Sequence, residues 1–304
     1  MAPKQFLKYS IGILLGLGLL SLPLFGSAAS IRLVELVLIY SIAGMGLQLL
    51  TGQAGLISLG QAGFMAIGAY TTAYLLQLGW PLALAIPLAV LLSGLVGILL
   101  AIPANRLSGP YLAIVSLAFG IGISSWISHT NWLGASSGMR VLTPQQLPET
   151  GLYFMIVIIS FVAYIGASVL RSSKWGLIWQ GIREQEILIA HLGIKAAYYK
   201  SWAFVICAAF AGLAGALWAL YLTYLSPTSF GFTLSISLLA GIVLGGLYKL
   251  EGAILGIALL SLLKQNLLPT DLSSLGWVLE GAILMLFMLA LPQRLWQIIQ
   301  TKWL

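Results

Sequence analysis

Charged residues are scarce in this sequence. Asp, Glu, Lys and Arg make up 7% of the 304 residues, whereas apolar residues make up 60%. Soluble domains carry about 25% charged residues, so this chain has too few to cover a water-facing surface. The composition excludes a soluble domain and indicates an integral membrane protein in contact with lipid. The net charge of +7 does not indicate nucleic-acid binding, because the basic residues occur singly between apolar runs.

Cysteine and histidine are also rare. The single cysteine, Cys207, excludes a disulfide within the chain, and neither His129 nor His191 has a second His or Cys at a ligand spacing. The sequence has no GxxxxGKS/T motif, so it carries no recognisable nucleotide-binding loop. It also has no paired carboxylates and no nucleophile beside a base at a useful spacing, which argues against an enzyme. We therefore expect no metal and no cofactor.

Long apolar runs are abundant. Ten of them approach the ~20 residues that a membrane-crossing helix needs. The eighth and ninth runs are short, which fits either two tilted helices with a tight turn or one broken hairpin. The prediction is one all-α membrane domain over residues 1–304, with spans at 6–25, 33–50, 61–78, 83–102, 109–128, 152–170, 202–224, 234–248, 252–267 and 276–291.

The basic residues predict the orientation. If the spans alternate from a cytoplasmic N-terminus, three of the 14 Lys and Arg residues fall outside and eleven fall inside. This bias follows the positive-inside rule and predicts that both termini are cytoplasmic. Residues 1–30 also resemble a cleavable signal peptide, but we expect an uncleaved first span because Lys4 and Lys8 suffice to orient it. The inside residues are Lys4, Lys8, Arg106, Arg171, Lys174, Arg183, Lys195, Lys200, Lys249, Arg294 and Lys302.

One predicted cytoplasmic segment, 171–201, holds seven of the 21 charged residues. Within it, residues 185–192 predict a short amphipathic helix that Gly193 ends. Such a helix either lies on the membrane surface or forms a docking surface for a cytoplasmic partner. The candidate docking residues are Arg183, Glu184, Glu186, His191 and Gly193.

The stretch TGQAGLISLGQAGFMAIGAY, residues 51–70, is rich in glycine and has no charge. Each glycine costs a helix roughly 1 kcal/mol relative to alanine, so residues 52–61 are predicted to be non-helical or hinge-like. Irregular backbone at membrane depth is tolerated only inside protein or beside a water-filled path. The segment is therefore a candidate translocation path with uncharged polar groups, although a plain cytoplasmic turn stays an alternative. The candidate path residues are Gly52, Gln53, Gly55, Ser58, Gly60, Gln61 and Glu280.

Two further patterns concern the spans themselves. Small residues recur three or four positions apart in several spans, for example at Gly212 and Gly215, and predict close helix packing. Of the carboxylates, Glu35 lies near Arg32 and is expected to form a solvated pair at a span end. Glu280 lies four residues into the last span and is either interfacial or directed at a cavity.

Four motifs carry a resemblance to a known family. The stretches LLTGQAGLISLGQAGFMAIGAYTTAYL, RLSGPYLAIVSLAF, GIREQEILIAHLGIKAAYYKSWAF and YLSPTSFGFTLSISLLAGIVLGGLYKLEGAILG resemble, in the same order, motifs of the LivM/LivH permeases of branched-chain amino acid ABC importers. The likeness covers residues 33 to 292.

The resemblance implies an inner-membrane permease that pairs with a homologous second permease, two cytoplasmic ATP-binding subunits and a periplasmic binding protein. The 171–201 loop would then contain the coupling helix that rests on an ATPase. Gln61 stands where the family usually has His, and Gln53 stands where it has an aromatic residue. We therefore expect transport of neutral amino acids broadly. Urea or short amides are the alternative substrates, and a stand-alone secondary transporter is the alternative class.

Overall fold

The computed structural model describes residues 27–105, 109–142 and 148–267, and within these ranges the chain is mostly helical. The predicted spans 6–25 and 276–291, together with Glu280, lie outside the described residues. In chain order the helices are α1 Ala28–Gln48, α2 Gln61–Gln77, α3 Leu82–Ala104, α4 Pro110–His129, α5 Glu149–Ser172, α6 Lys174–His191, α7 Ala196–Leu222, α8 Phe232–Gly245 and α9 Leu250–Leu267. A π-helical turn, Leu49–Gln53, continues α1.

Each predicted span within the described residues coincides with one of these helices to within a few residues. Five helical segments in the described part of the chain are long and apolar enough to cross a membrane: 28–53, 82–104, 111–129, 150–172 and 196–222. Helix α8 is apolar but shorter, with 14 residues. Helices α8 and α9 are joined by a tight turn at 246–249.

Helix α7 lies at the centre of the bundle and packs against α1, α2 and α3. Its contact faces are built from small residues, so the helix backbones approach closely. A Cβ added to Gly68 would overlap the backbone of Gly212, and a Cβ on Gly215 would overlap the carbonyl of Met65. The same packing joins α8 to α9 through Gly245. The prediction of small-residue helix faces is confirmed for these contacts, and packing rather than hydrophobicity holds such helices together in lipid.

The loops at one end of the bundle are joined by a short antiparallel ladder of β1 Met139–Arg140 and β2 Tyr224–Leu225. Three 3₁₀ turns, Asn131–Leu133, Ala135–Ser137 and Pro227–Phe230, complete this end.

The prediction that Glu35 is solvated is wrong. Helix α1 begins at Ala28, several residues before the predicted start at 33, so Glu35 lies about two turns inside the helix. The residue is only 5% exposed. Tyr153 of α5 and Tyr221 of α7 lie within electrostatic reach of its carboxylate. The carboxylate is therefore part of the packed interior of the bundle.

Replacement of Gly215 by leucine should destabilise the bundle, because α2 and α7 would have to separate where their backbones touch. We expect the free energy of unfolding to fall by about 3 kcal/mol or more. Thermal unfolding of the purified chain in detergent measures the change. Gly122→Leu is the matched control, since no atom lies within 4 Å of a Cβ at that position. Equal stability of the two variants would contradict the packing role of Gly215.

Candidate functional site

The glycine-rich segment interrupts the passage from α1 to α2. Its first residues complete the π turn Leu49–Gln53, closed by a hydrogen bond from the Ala54 amide to the Leu49 carbonyl of 3.3 Å. Residues 55–60 then run without regular structure until α2 begins at Gln61. The prediction of non-helical backbone is confirmed for residues 55–60. It is wrong for Gly52 and Gln53, because the wider π turn accommodates them at the end of α1, and for Gln61, which begins α2.

Close approach explains the three glycines of this segment. A Cβ on Gly52 would overlap the Leu247 carbonyl in the α8–α9 turn, and a Cβ on Gly60 would lie 2.8 Å from the Ser116 carbonyl oxygen. Gly55 has φ +72°, in the left-handed region that glycine adopts without strain. The glycines therefore bring the irregular backbone into contact with three neighbouring parts of the bundle.

Side chains from distant helices bind the irregular backbone and the first turn of α2. The Leu59 amide donates to Ser116 Oγ of α4 at 2.9 Å, and the Ala62 amide donates to Ser235 Oγ of α8 at 2.9 Å. Within the segment, the Gly60 amide donates to Ser58 Oγ at 3.3 Å. The segment is thus enclosed by protein at the level of α4 and α8, as irregular backbone at membrane depth requires.

Gln61 is fully buried and forms hydrogen bonds through both of its polar atoms. Nε2 donates to the Ala43 carbonyl of α1 at 2.9 Å, and Oε1 accepts from Cys207 Sγ of α7 at 3.5 Å. These bonds fix the start of α2 between α1 and α7. Ser58 is also fully buried, whereas Gly55 is exposed.

The charged segment 171–201 forms a longer helix than predicted. Helix α6 spans Lys174–His191, and backbone angles at Gln185 (φ −153°, ψ 88°) break it into two parts. The part after the break matches the predicted short helix. The part before it was not predicted, and it is stabilised by packing of its tryptophans. Trp179 is buried and donates its Nε1 to the Tyr199 carbonyl of α7 at 2.9 Å.

Arg183 joins the two candidate sites. Its side chain turns toward the bundle, where Nη1 donates to the carbonyl of Gly52, and its guanidinium carbon lies 4.6 Å from the centre of the Tyr248 ring. One turn earlier on α6, Gln180 Nε2 donates to Gln53 Oε1 at 2.7 Å. The structure thus brings together the predicted path and the predicted docking loop, which the sequence separated by about 130 residues.

The remaining predicted docking residues have different environments. Glu184 is largely exposed, as is His191 after the break. Gly193 has φ +77° and ends the helix. The exposed face of the short helix is apolar rather than charged, since Ile187 and Leu192 are each 74% exposed. Exposed apolar side chains beside charged ones are typical of a surface that another protein covers.

Glu186 is half exposed and is bound to a lysine of α7. Both of its carboxylate oxygens lie 2.6 Å from Nζ of Lys200. The Lys200 side chain is only 9% exposed, so its ammonium group depends on this carboxylate in place of water. The pair fastens the short helix to the first turn of α7.

Sequence reasoning missed the polar groups that hold the segment from outside. They share one signal, an isolated polar residue within an apolar or helical run, but nothing in the sequence shows which of them face the segment. No group of three or more His, Cys, Asp or Glu that could hold a metal occurs within residues 27–105, 109–142 and 148–267. The missed residues are Gln48, Ser116, Gln180, Ser235 and Tyr248.

The described helices make this chain a multi-pass membrane protein, and comparison with known proteins gives its class. Residues 30–290 match the family described as branched-chain amino acid transport system / permease component. The chain belongs to this family of transport permease subunits.

Curated relatives agree with the family match. The chain is 32% identical to the high-affinity branched-chain amino acid transport system permease protein LivM of Salmonella typhimurium, over 90% of this chain and 71% of that protein. The identity and coverage are the same for the LivM protein of Escherichia coli. A probable branched-chain amino acid transport permease protein LivM of Methanocaldococcus jannaschii is 25% identical over 70% of this chain and 68% of its own length. No solved structure matches the chain significantly.

Substitution of Glu186 by glutamine should destabilise the protein, because it leaves the nearly buried Lys200 ammonium without its carboxylate. We expect a loss of about 1–2 kcal/mol in the free energy of unfolding, since Glu186 itself is half exposed. Denaturation in detergent measures the loss. Glu184→Gln is the control and should change stability by less than about 0.5 kcal/mol. If both variants lose the same stability, the Glu186–Lys200 pair has no special role.

Proposed function

We propose that this chain is the membrane-spanning permease subunit of an ABC importer for branched-chain and other neutral amino acids. The family match over residues 30–290 carries the proposal. In this proposal a homologous second permease completes the translocation path, a periplasmic binding protein delivers the substrate, and two cytoplasmic ATP-binding subunits supply the energy. The chain has about ten spans in the bacterial inner membrane, and both termini are cytoplasmic.

The translocation path runs beside residues 52–61. Irregular backbone between helices commonly forms substrate sites in transporters, because its amide and carbonyl groups can meet polar solutes. Residues 52–61 themselves offer only uncharged hydrogen-bonding groups, which suit the polar ends of a zwitterion. Gly52, Gly55 and Gly60 allow the close approach, Ser58 and Gln53 line the path, and Gln61 fixes its edge. We also place Glu280, in the predicted last span, in this path.

The short helix after Gln185 is the coupling helix. Its exposed residues Ile187 and Leu192 supply an apolar surface, and the exposed carboxylate of Glu184 supplies charge beside it. An ATP-binding subunit with a complementary groove would cover this surface and remove the apolar side chains from water. The Arg183 contact with Gly52 then gives a direct physical connection between the ATPase surface and the path.

The full complex in proteoliposomes tests the function. With binding protein present, we expect leucine uptake that requires ATP on the side of the ATP-binding subunits. Ile187→Glu should reduce both co-purification of these subunits and uptake by at least tenfold, because the new charge would be buried in an apolar contact. Leu142→Glu is the control, since Leu142 is 54% exposed at the opposite end of the bundle. Uptake of urea in place of leucine, or normal assembly of Ile187→Glu, would contradict the proposal.

A cysteine at Ser58 tests the path. In a Cys207→Ala background, Ser58→Cys should react slowly with a small polar thiol reagent in the nucleotide-free complex, because Ser58 is fully buried. The labelling rate should rise about tenfold or more when the ATP-bound state is trapped, since the path then opens. Labelling after denaturation gives the total number of reactive groups. An equal rate in every state would leave residues 55–60 as a packed turn.

A further inference from the structure

Five residues, Arg183, Gly52, Gln53, Gln180 and Tyr248, form a contact that we name the Arg183 cluster. It joins three separate elements: the first part of α6, the π turn after α1, and the α8–α9 turn. The guanidinium donates to the Gly52 carbonyl and stacks on the Tyr248 ring. Arginine suits this place because its planar, permanently charged group can donate hydrogen bonds and lie over an aromatic face at once.

The surroundings hold Arg183 in this position. A Cβ added to Gly55 would lie 2.6 Å from Arg183 Cγ, so the aliphatic stem of the arginine lies directly over the backbone of the irregular segment. Glu184 is the nearest acidic partner, at 3.5 Å, but its side chain is 72% exposed. Since exposed pairs contribute little, the Gly52 carbonyl and the Tyr248 ring are the main partners of the guanidinium.

Two further hydrogen bonds to the α8–α9 turn come from α5 and α1. Arg171 of α5 donates Nη2 to the Tyr248 carbonyl at 2.8 Å, and Gln48 of α1 donates Nε2 to the Leu247 carbonyl at 2.9 Å. These bonds hold the turn in place independently of Arg183. The Arg183 cluster therefore connects the irregular segment and a turn held by α1 and α5 to helix α6.

We propose that the Arg183 cluster closes the coupling-helix end of the 55–60 segment, and that displacement of α6 opens it. This inference rests on the proposed function, in which ATP-binding subunits move the short helix. The helix break at Gln185 lies two residues after Arg183. The part of α6 that meets the ATPase and the part that holds the segment are thus adjacent, with a joint between them. A shift of the short helix that is transmitted across this joint withdraws the guanidinium from Gly52 and weakens the hold of α6 on the segment.

The test measures how readily the segment opens in the nucleotide-free complex. The reporter is Ser58→Cys in the Cys207→Ala chain, labelled by a small polar thiol reagent. Arg183→Ala should raise the labelling rate about tenfold, because a charge-assisted hydrogen bond and a ring contact are lost together. Arg171→Ala is the matched control and should leave the rate within about twofold, since Arg171 contacts the same turn without touching the segment. An unchanged rate in Arg183→Ala, or an equal increase in Arg171→Ala, would overturn the proposal.

A second pair of variants keeps the test independent of the folding of Arg183→Ala. Tyr248→Phe retains the ring and should label at the parent rate, whereas Tyr248→Leu removes the ring and should label about threefold faster. Equal rates for Phe and Leu would show that the ring contact does not hold the segment. Labelling needs no transport, so this result is separate from leucine uptake. If labelling changes as expected while the parent complex takes up no leucine, the proposed function fails and the closure by Arg183 stands.

Discussion

The architecture depends on one constraint: backbone amide and carbonyl groups inside a membrane must find hydrogen-bond partners within the protein. Each unpaired group costs several kcal/mol in lipid. Helices meet the constraint by themselves, but residues 55–60 do not form a helix. Within this segment the Leu59 amide donates instead to a hydroxyl group of α4, and directly after it, in the first turn of α2, the Ala62 amide donates to a hydroxyl group of α8. The position of both helices relative to the segment is therefore determined to within the length of a hydrogen bond.

Small residues make this arrangement possible. The serines can reach the segment only because the helices that carry them lie close to it, and Gly60 and Gly63 leave room for α4 at that point. Gly212 and Gly215 likewise bring α7 against α2. Close packing and hydrogen bonding thus support each other. The same glycines that weaken a helix in isolation stabilise the assembled bundle, since dispersion contacts replace the missing side chains.

Much of the fold could be predicted, because long apolar runs predict helices that can cross a membrane. The start of α1 could not, since residues 28–32 are not strongly apolar, and this displaced boundary led to the wrong environment for Glu35. The first part of α6 was missed for a different reason. Its sequence contains Gly176 and Gly181, and its stability comes from Trp179 packing against α7 rather than from local preference.

The candidate site, too, could be predicted only in part from the sequence. Glycine spacing indicated an irregular segment, and charge density indicated a separate functional loop. That Arg183 faces inward could not be predicted, because the direction of a helix face depends on tertiary packing. The main partners of Arg183 are a backbone carbonyl and an aromatic ring. Neither is a charged group, so the pattern of charges in the sequence does not identify them.

Helix α7 makes the bundle stiff along the axis of that helix. It is continuous over 27 residues, or about 40 Å at 1.5 Å per residue. At its first turn it is bonded to the short helix through Lys200, and directly after its last turn the chain enters the β1–β2 ladder. A continuous helix packed on three sides is stiff along its axis. It is one rigid element between the two ends of the bundle, so a force applied at the Glu186 end would reach the loops at the other end without passing through the irregular segment.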